Sequence, residues 1–424
     1  MEGLRDVKRR LKEEFIRRVG CGSSAHGVTF KSPSAIENED RMVIETAIVK
    51  DQSWALLAVF DGHSGSVTAD YAAQTLPRAL RSALKRLIDN PHASVDRASL
   101  HYNADVISTM LRNEIRNLDD SIGLALKKLC DDPQHLTREQ AMQLIDEHEE
   151  TIQRAYQGTT VALALINADH HMLWAAALGN STVALSIRTV DDPDVREAVR
   201  LCEAHAMNAQ EELPCLPSSY QSEDVVHDKQ HLLKRAIGDF HLKYDAAYLD
   251  RVFSFLPQSD PDSPAPRDHV GRIKTPPYVS NEASVRFVNY GLLADRYPIL
   301  MLYTNGVDQI VHGRHERTPG VSSRTDPADV VTSFLNLSPQ VKNKVEEILG
   351  HEVEVQWDPT RTPNIAVDVL GNLLGGTDID HLREVIAQTQ SANAGNEGLA
   401  LDDITIILCD LTILKIELDH IRKR

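Results

Sequence analysis

The sequence predicts an α+β fold, with paired β-strands at its centre and long helices on their outer faces. Three observations carry this. Short continuous apolar runs, such as Trp54–Phe60, Gly158–Ile166 and His171–Leu178, have the length of buried strands. Long segments at Val67–Leu87, Asn103–Asp131 and Leu136–Gln157 show helical apolar spacing, and their stripes are wide enough to need an apolar partner. Several strands run straight into a polar cluster: Glu39/Asp40, Asp61, Asn305 and Asp402 each lie at a strand end.

The 424 residues can bury one large core or two ordinary ones. Apolar residues make up 42% and charged residues 25%, normal proportions for a globular chain. Sixty-two acids against 45 bases leave a formal charge of -17, which disfavours general nucleic-acid binding and is compatible with divalent cations. Cys21, Cys130, Cys202, Cys215 and Cys409 are odd in number and lack C-x-x-C spacing, so they read as reduced thiols. No apolar run approaches the ~20 residues of a membrane span.

Taken in order, Met1–Val19 places Leu4, Val7, Leu11, Phe15 and Val19 at near-helical spacing, an amphipathic helix docking on the body. Its acids Glu2, Asp6, Glu13 and Glu14 argue against a mitochondrial transit peptide. Residues 20–41 read as a loop. Met42–Val49 and Trp54–Phe60 are strands joined by the turn Lys50–Ser53, a hairpin that brings Glu39 or Asp40 to the same end as Asp61. The helices of 67–157 follow, and Thr137 with Glu139 nearby opens the last of them. Two strands flank the turn Asn167–His170. Gly179-Asn180-Ser181 interrupts the second strand, which resumes at Thr182–Arg188. A helix is expected after Asn208, a glycine–acid turn at Arg235–Phe240, and an irregular Pro-rich loop at Ser254–Pro277. Ala283–Val288 and Tyr297–Tyr303 are strands around a polar turn. Val307–His312 and residues 326–390 are helical, and a β-branched strand led by Asp402-Asp403 closes the pattern.

Oxygen ligands gathered at strand ends suit hard cations such as Mg2+ or Mn2+. Asp61-Gly62-His63 by itself fits two roles for Asp61, a helix cap or a metal ligand. His63 is either a local hydrogen-bonding residue or a general acid, for which an imidazole has a suitable pKa. Asp239 is equally a turn acid or a site residue, and Thr159 and Thr160 read as strand residues.

In sequence order these pieces resemble the metal-dependent protein phosphatase family (PPM, or type 2C). The carriers are Glu39-Asp40-Arg41, Val59-Phe60-Asp61-Gly62-His63, Gly158-Thr159-Thr160, Gly179-Asn180-Ser181, Arg235-Ala-Ile-Gly-Asp239, Thr304-Asn305-Gly306 and Asp402-Asp403-Ile-Thr. Ala35–Arg41, His205–Gln210, Val225-Val226 and Thr275–Tyr278 are most similar to its mitochondrial pyruvate dehydrogenase phosphatase branch. The resemblance implies a central antiparallel β-sandwich flanked by helices, with a lead-in at 1–25. A single phosphatase domain at 26–424 carries helical insertions at about 100–157 and 326–395. It implies hydrolysis of phosphoserine or phosphothreonine by metal-activated water at two Mg2+ or Mn2+ ions. Asp61 would bridge the ions and Gly62 would offer its carbonyl. Glu39 or Asp40 would hold one ion and Asp402 the other, with His63 as general acid and Arg41 the nearest candidate to grip phosphate. A phosphoprotein, such as a mitochondrial dehydrogenase complex, is the implied partner. The implied location is the mitochondrial matrix, with the cytoplasm as alternative.

Two departures stand out. Asn305 occupies a position where the family has a ligand aspartate, and Asn180 replaces the aspartate of Gly-Asp-Ser. An asparagine carbonyl can still face a cation but brings no charge. The acid often found four residues after Asn305 falls on Gln309, with Asp308 one residue earlier. Two readings follow: a phosphatase with weakened metal binding on the Asn305 side, or a catalytically impaired pseudophosphatase kept for binding or regulation.

Overall fold

The computed structural model describes residues 3–33, 35–89, 104–202, 235–257, 275–317, 325–359, 363–390 and 401–422. Along the chain the strands are β1 (Phe15–Gly20), β2 (Ala25–Phe30), β3 (Arg41–Val49), β4 (Gln52–Phe60), β5 (Gly62–His63), β6 (Gly158–Thr159), β7 (Val161–Asn167), β8 (Met172–Leu178), β9 (Thr182–Arg188), β10 (Arg196–Arg200), β11 (Ile237–Gly238), β12 (Ser284–Asn289), β13 (Ile299–Tyr303) and β14 (Ile404–Asp410). They form a first sheet in the order β1-β2-β14-β13-β9-β10, a second in the order β12-β8-β7-β4-β3, and a small third sheet, β11-β6-β5. All the pairings in these sheets are antiparallel.

The continuous apolar runs are explained by burial on both faces. One face of the second sheet (Leu57, Val59, Ala162, Ala164, Leu173) meets Val183, Leu185, Leu300, Leu302 and Ile407 of the first sheet. Its other face (Trp54, Leu56, Phe60, Leu163, Trp174) packs under α1's successors, α2 (Val67–Asp89), α3 (Ala104–Leu129) and α4 (Arg138–Tyr156), where α1 is Leu4–Glu13. The outer face of the first sheet (Val28, Phe30, Met301, Ile404, Ile406) is covered by the helices Pro327–Phe334, Pro339–Leu349, Ile365–Leu373 and Ile379–Gln390. The result is helices, sheet, sheet, helices. Each fully buried Leu, Val or Phe contributes about 1.5–3 kcal/mol to holding the layers together.

The α+β sandwich expected from the sequence is therefore the observed architecture. Several local expectations are corrected. The helical spacing of the N-terminus does not continue to Val19: α1 stops at Glu13, and Phe15 opens β1, packing on Phe30 and Trp357. The lead-in is thus hydrogen-bonded into the first sheet, and α1 docks through buried Val7 and Leu11, with Lys8 and Lys12 paired to Glu354 and Asp358. Residues 25–30, inside the expected loop, are β2, flanked by β1 and β14. Its apolar signal is diluted by Gly27, where a Cβ would lie 2.8 Å from Met42 Sδ of the facing sheet. Thr182–Arg188 does not resume β8. Gly179, at φ +100°, turns the chain across the sandwich, and β9 joins the other sheet. Likewise β12 and β13 lie in different sheets, and the chain closes on a helix, Leu411–Arg422, that sequence periodicity missed.

Thr137 forms a capping box, with Gln140 rather than Glu139 as the returning partner. The helix expected after Asn208, the segments His205–Gln210 and Val225-Val226, Cys215, and most of the Pro-rich loop lie outside the described residues. Among the described residues no helix is long and apolar enough to cross a membrane.

Candidate active site

The register of the hairpin places the first acids. Arg41 pairs with Phe60, so Asp40 and Asp61 follow as neighbours where the two strands open. In the facing sheet Tyr303 pairs with Ile406, which brings Thr304 and Asn305 beside Thr405 and Asp403. Two hydrogen bonds then tie the sheets together: Thr304 Oγ1 donates to Asp40 Oδ2 at 2.8 Å, and the Asn305 amide donates to Asp61 Oδ2 at 3.3 Å. The closeness depends on glycine. A Cβ on Gly62 would lie 2.5 Å from the Glu39 carbonyl oxygen, and one on Gly306 would lie 2.3 Å from that of Asp403.

The two residues of the Asp402-Asp403 pair have different occupations. Asp403 is buried, and its carboxylate accepts from the amides of Ser32 (2.5 Å) and Glu39 (2.6 Å). It thereby shapes the loop that presents Glu39 and Asp40, a role the sequence reading did not assign. Asp402 accepts from Gln309 Nε2 at 2.7 Å, so the glutamine in the family's acid position steadies a neighbouring carboxylate.

These acids crowd one another. Burial raises Asp61 and Asp40 well above the usual carboxylate range, and the nearby charges of the cluster add to it: Asp40, Asp402 and Asp403 act on Asp61, Asp403 and Asp402 on Asp40. Burial also raises Asp402 and Asp403, and it pushes Glu39 up to about 7. Asp40 Oδ1 and Asn305 Oδ1 are buried without a hydrogen-bond partner. Among the described residues no three His, Cys, Asp or Glu side chains are drawn into a ready-made metal cage. Orphaned oxygens within a set of mutually repelling, oxygen-only donors nevertheless fit a hard divalent cation, which would satisfy them and relieve the repulsion. Asn180 Oδ1 is likewise buried and unpartnered, beside a Ser181–Thr160 hydroxyl contact of 2.7 Å.

His63 stands next to this cluster on the small third sheet. Its Nε2 lies 3.0 and 2.9 Å from the two carboxylate oxygens of Asp239. Burial alone would lower the imidazole pKa, but Asp239, then Glu39 and Asp402, raise it above its ordinary value. Burial opposes ionisation of Asp239, yet His63 and then His241 and Lys243 hold its carboxyl below the usual range. The pair needs Gly158, whose Cβ would lie 2.1 Å from His63 Nε2 and 2.5 Å from Asp239 Oδ2. Asp239 belongs to the site, and the motif Arg235-Ala-Ile-Gly-Asp239 was its only signal in the sequence. Thr159 Oγ1 and the Thr160 amide support the Asp61 carbonyl at 3.0 and 2.9 Å, as strand residues.

Arg41 is corrected. Its Nε and Nη2 fork onto the Asp70 carboxylate at 2.5 and 2.8 Å, and Nη1 donates to the carbonyls of Asn38 (2.6 Å) and Asp40 (2.9 Å). Those bonds spend the guanidinium on fastening the acid loop to α2, so it is not set to grip phosphate.

The sequence matches the family model described as Protein phosphatase 2C over residues 25–286. No curated protein matches it. Among solved structures, the chain is similar to serine-threonine phosphatase 2C from Toxoplasma gondii, with TM-score 0.50 and 14% identity over 93% of this chain and 98% of that one. It is also similar to a C. elegans sex determining protein, with TM-score 0.45 and 16% identity over 93% of this chain and 66% of the other.

Proposed function

The chain belongs to the protein phosphatase 2C family, whose members are metal-dependent protein serine/threonine phosphatases, and we propose that its phosphatase chemistry is carried out at the strand-end carboxylate cluster. The observation that carries this is the meeting of Asp40, Asp61, Asn305 and Asp402 with the His63–Asp239 pair where the two sheets open. Glu39, Asp40, Asp61, the Gly62 carbonyl, Asn305 and Asp402 would hold the ions. Bound Mg2+ or Mn2+ would supply an activated water and neutralise charge on the phosphoryl group.

The chain's own residues would do the rest. Asp239 occupies His63 Nε2, which leaves Nδ1 as the ring nitrogen to hold a proton for the departing serine or threonine oxygen. Asp239 also stabilises the charged imidazolium, the form a general acid must start from. Asn305 contributes an oxygen without charge, so the ion on its side would be held more weakly than the other.

The substrate would be a phosphoprotein. The likeness of Ala35–Arg41 and Thr275–Tyr278 to the pyruvate dehydrogenase phosphatase branch supports a mitochondrial dehydrogenase complex in the matrix, with a cytoplasmic phosphoprotein as the alternative. Dephosphorylation of a phosphorylated dehydrogenase complex no faster than of an unrelated phosphoprotein would remove that assignment.

Asn305 and Asn180 favour a second reading, a phosphatase fold kept for binding or regulation. Hydrolysis of p-nitrophenyl phosphate across a Mn2+ titration, with Asp61→Ala as control, separates the two. Activity that saturates with Mn2+ and disappears in the control supports the enzyme. No activity at any metal level, with no metal bound, supports the pseudophosphatase.

A further inference from the structure

The turn that carries Asp239 is strained, and the helix that follows meets it through the backbone, the Leu242 amide donating to the Asp239 carbonyl at 2.8 Å. Gly238 and Asp239 both have left-handed backbone, at φ +85° and +53°, and the Asp239 side chain makes no cap hydrogen bond to the short helix Phe240–Lys243 that it precedes. A non-glycine residue in this conformation persists only where its surroundings hold it.

The Asp239 amide donates to the Gln157 carbonyl at 3.1 Å, and a buried carboxylate from α3 adds a second hold on the turn. Asp119, on α3, is 1% exposed. Its Oδ1 accepts from the Gly238 amide at 2.8 Å and from Lys243 Nζ at 2.8 Å, and its Oδ2 accepts from Asn281 Nδ2 at 2.9 Å. The Lys243 side chain is only 7% exposed and also donates to the Ala236 carbonyl at 2.8 Å. The ion pair therefore brackets the turn on both sides, at Ala236 and Gly238 before it and at Lys243 after it. One turn along α3, a Cβ on Gly123 would lie 2.3 Å from Phe240 Cε1, so the helix is docked tightly against the same segment.

We propose that Asp119 and Lys243 are positioning residues for the phosphatase reaction: their buried ion pair holds the Gly238–Asp239 turn, and through Asp239 it holds His63 as general acid. Neither residue touches substrate or the reacting atoms. The inference rests on the general-acid reading of His63. Removing one partner would leave an uncompensated buried charge and threaten the fold, whereas neutralising both avoids that penalty. Asp119→Asn/Lys243→Met is therefore the main variant.

The test uses the full chain with saturating Mn2+ and two substrates. A phosphothreonine peptide releases an alkoxide that needs a proton; p-nitrophenyl phosphate releases a stable anion that does not. With general acids typically contributing about 10²–10⁴-fold, partial misplacement of His63 is expected to lower kcat on the peptide by about tenfold while p-nitrophenyl phosphate stays within about twofold. Lys243→Arg, which keeps the charge, should recover most of the peptide rate. Equal loss on both substrates, or no loss on the peptide, overturns the proposal. Should the double variant not fold, Asn281→Ala decides: a peptide loss of about threefold or more with little change on the activated ester supports the proposal, and no such split overturns it. His63→Gln is the reference. If it loses both substrates alike, the general-acid premise falls and this inference with it. If it shows the split and the Asp119 variant does not, only the inference falls.

Discussion

Gly158→Ala is a one-methyl perturbation aimed at the His63–Asp239 pair. The new Cβ would lie 2.1 Å from His63 Nε2 and 2.5 Å from Asp239 Oδ2. Ordinary contact begins near 3.5 Å, so one partner or the other must withdraw by more than about 1 Å. The backbone has little room to yield, because Gly158 is the middle position of the third sheet, paired with His63 on one side and Gly238 on the other. A bifurcated contact now at 2.9–3.0 Å would be broken. A charge-assisted hydrogen bond is worth about 1.5–3 kcal/mol, so the population of correctly placed His63 should fall roughly 10- to 100-fold. Overpacking adds about 1–3 kcal/mol of destabilisation, to be read from a thermal melt. The assay is kcat with Mn2+ on a phosphothreonine peptide and on p-nitrophenyl phosphate, where the loss should fall on the peptide. A folded variant that keeps the peptide rate within about twofold would refute the view that this glycine makes room for a working acid.

The remaining predictions concern the carboxylates and Arg41. Asn305→Asp should tighten Mn2+ binding by roughly tenfold, because ligand charge sets affinity for hard cations. Unchanged affinity by calorimetry would place Asn305 outside the coordination shell. Glu39, Asp40, Asp61, Asp402 and Asp403 all have raised pKa values when folded. Their contribution to stability is therefore full below the unfolded carboxylate value, near 4, and is lost as pH rises through the folded values, about 7 for Glu39. Metal-free protein should melt at a lower temperature at pH 8 than at pH 5.5, and Mn2+ should raise the melting temperature more at pH 8. An equal gain at both would contradict the crowding described here. Arg41→Ala should lower stability by about 1–2 kcal/mol through loss of its fork on Asp70, with KM for p-nitrophenyl phosphate changed less than about threefold. A large rise in KM with an unchanged melt would restore Arg41 as a phosphate ligand.

Much of this was legible in the residue string because it depends on local pattern. The strands expected at 42–49 and 54–60 follow from their largely apolar composition, continuous in the second, and a short hairpin turn can only bring their outer ends together. That was enough to bring Glu39 or Asp40 to the same end as Asp61, and the register then set Asp40 beside it. The long helices follow from apolar spacing. Where the local pattern misled, a tertiary demand had overridden it: Gly27 diluted β2 so that two sheets could touch, and Phe15 continued a helical period while serving a strand. Gly179 was visible as a break, but not as the point where the chain changes sheets.

Which buried polar group finds which partner is another matter. His63 and Asp239 are 176 positions apart, and Asp119 and Gly238 are 119 apart. Arg41 looked like a phosphate grip beside the acids and instead fastens their loop to α2. By itself the sequence determined the layers, the family motifs and the strand ends at which acids gather, since apolar periodicity and turn chemistry act over a few residues. Only the tertiary structure decided which carboxylates crowd together, which one orients the histidine and which residues hold that arrangement. Those pairings are fixed by sheet register and helix docking across the whole chain, and a charge buried there keeps its place only with the partner that the fold delivers.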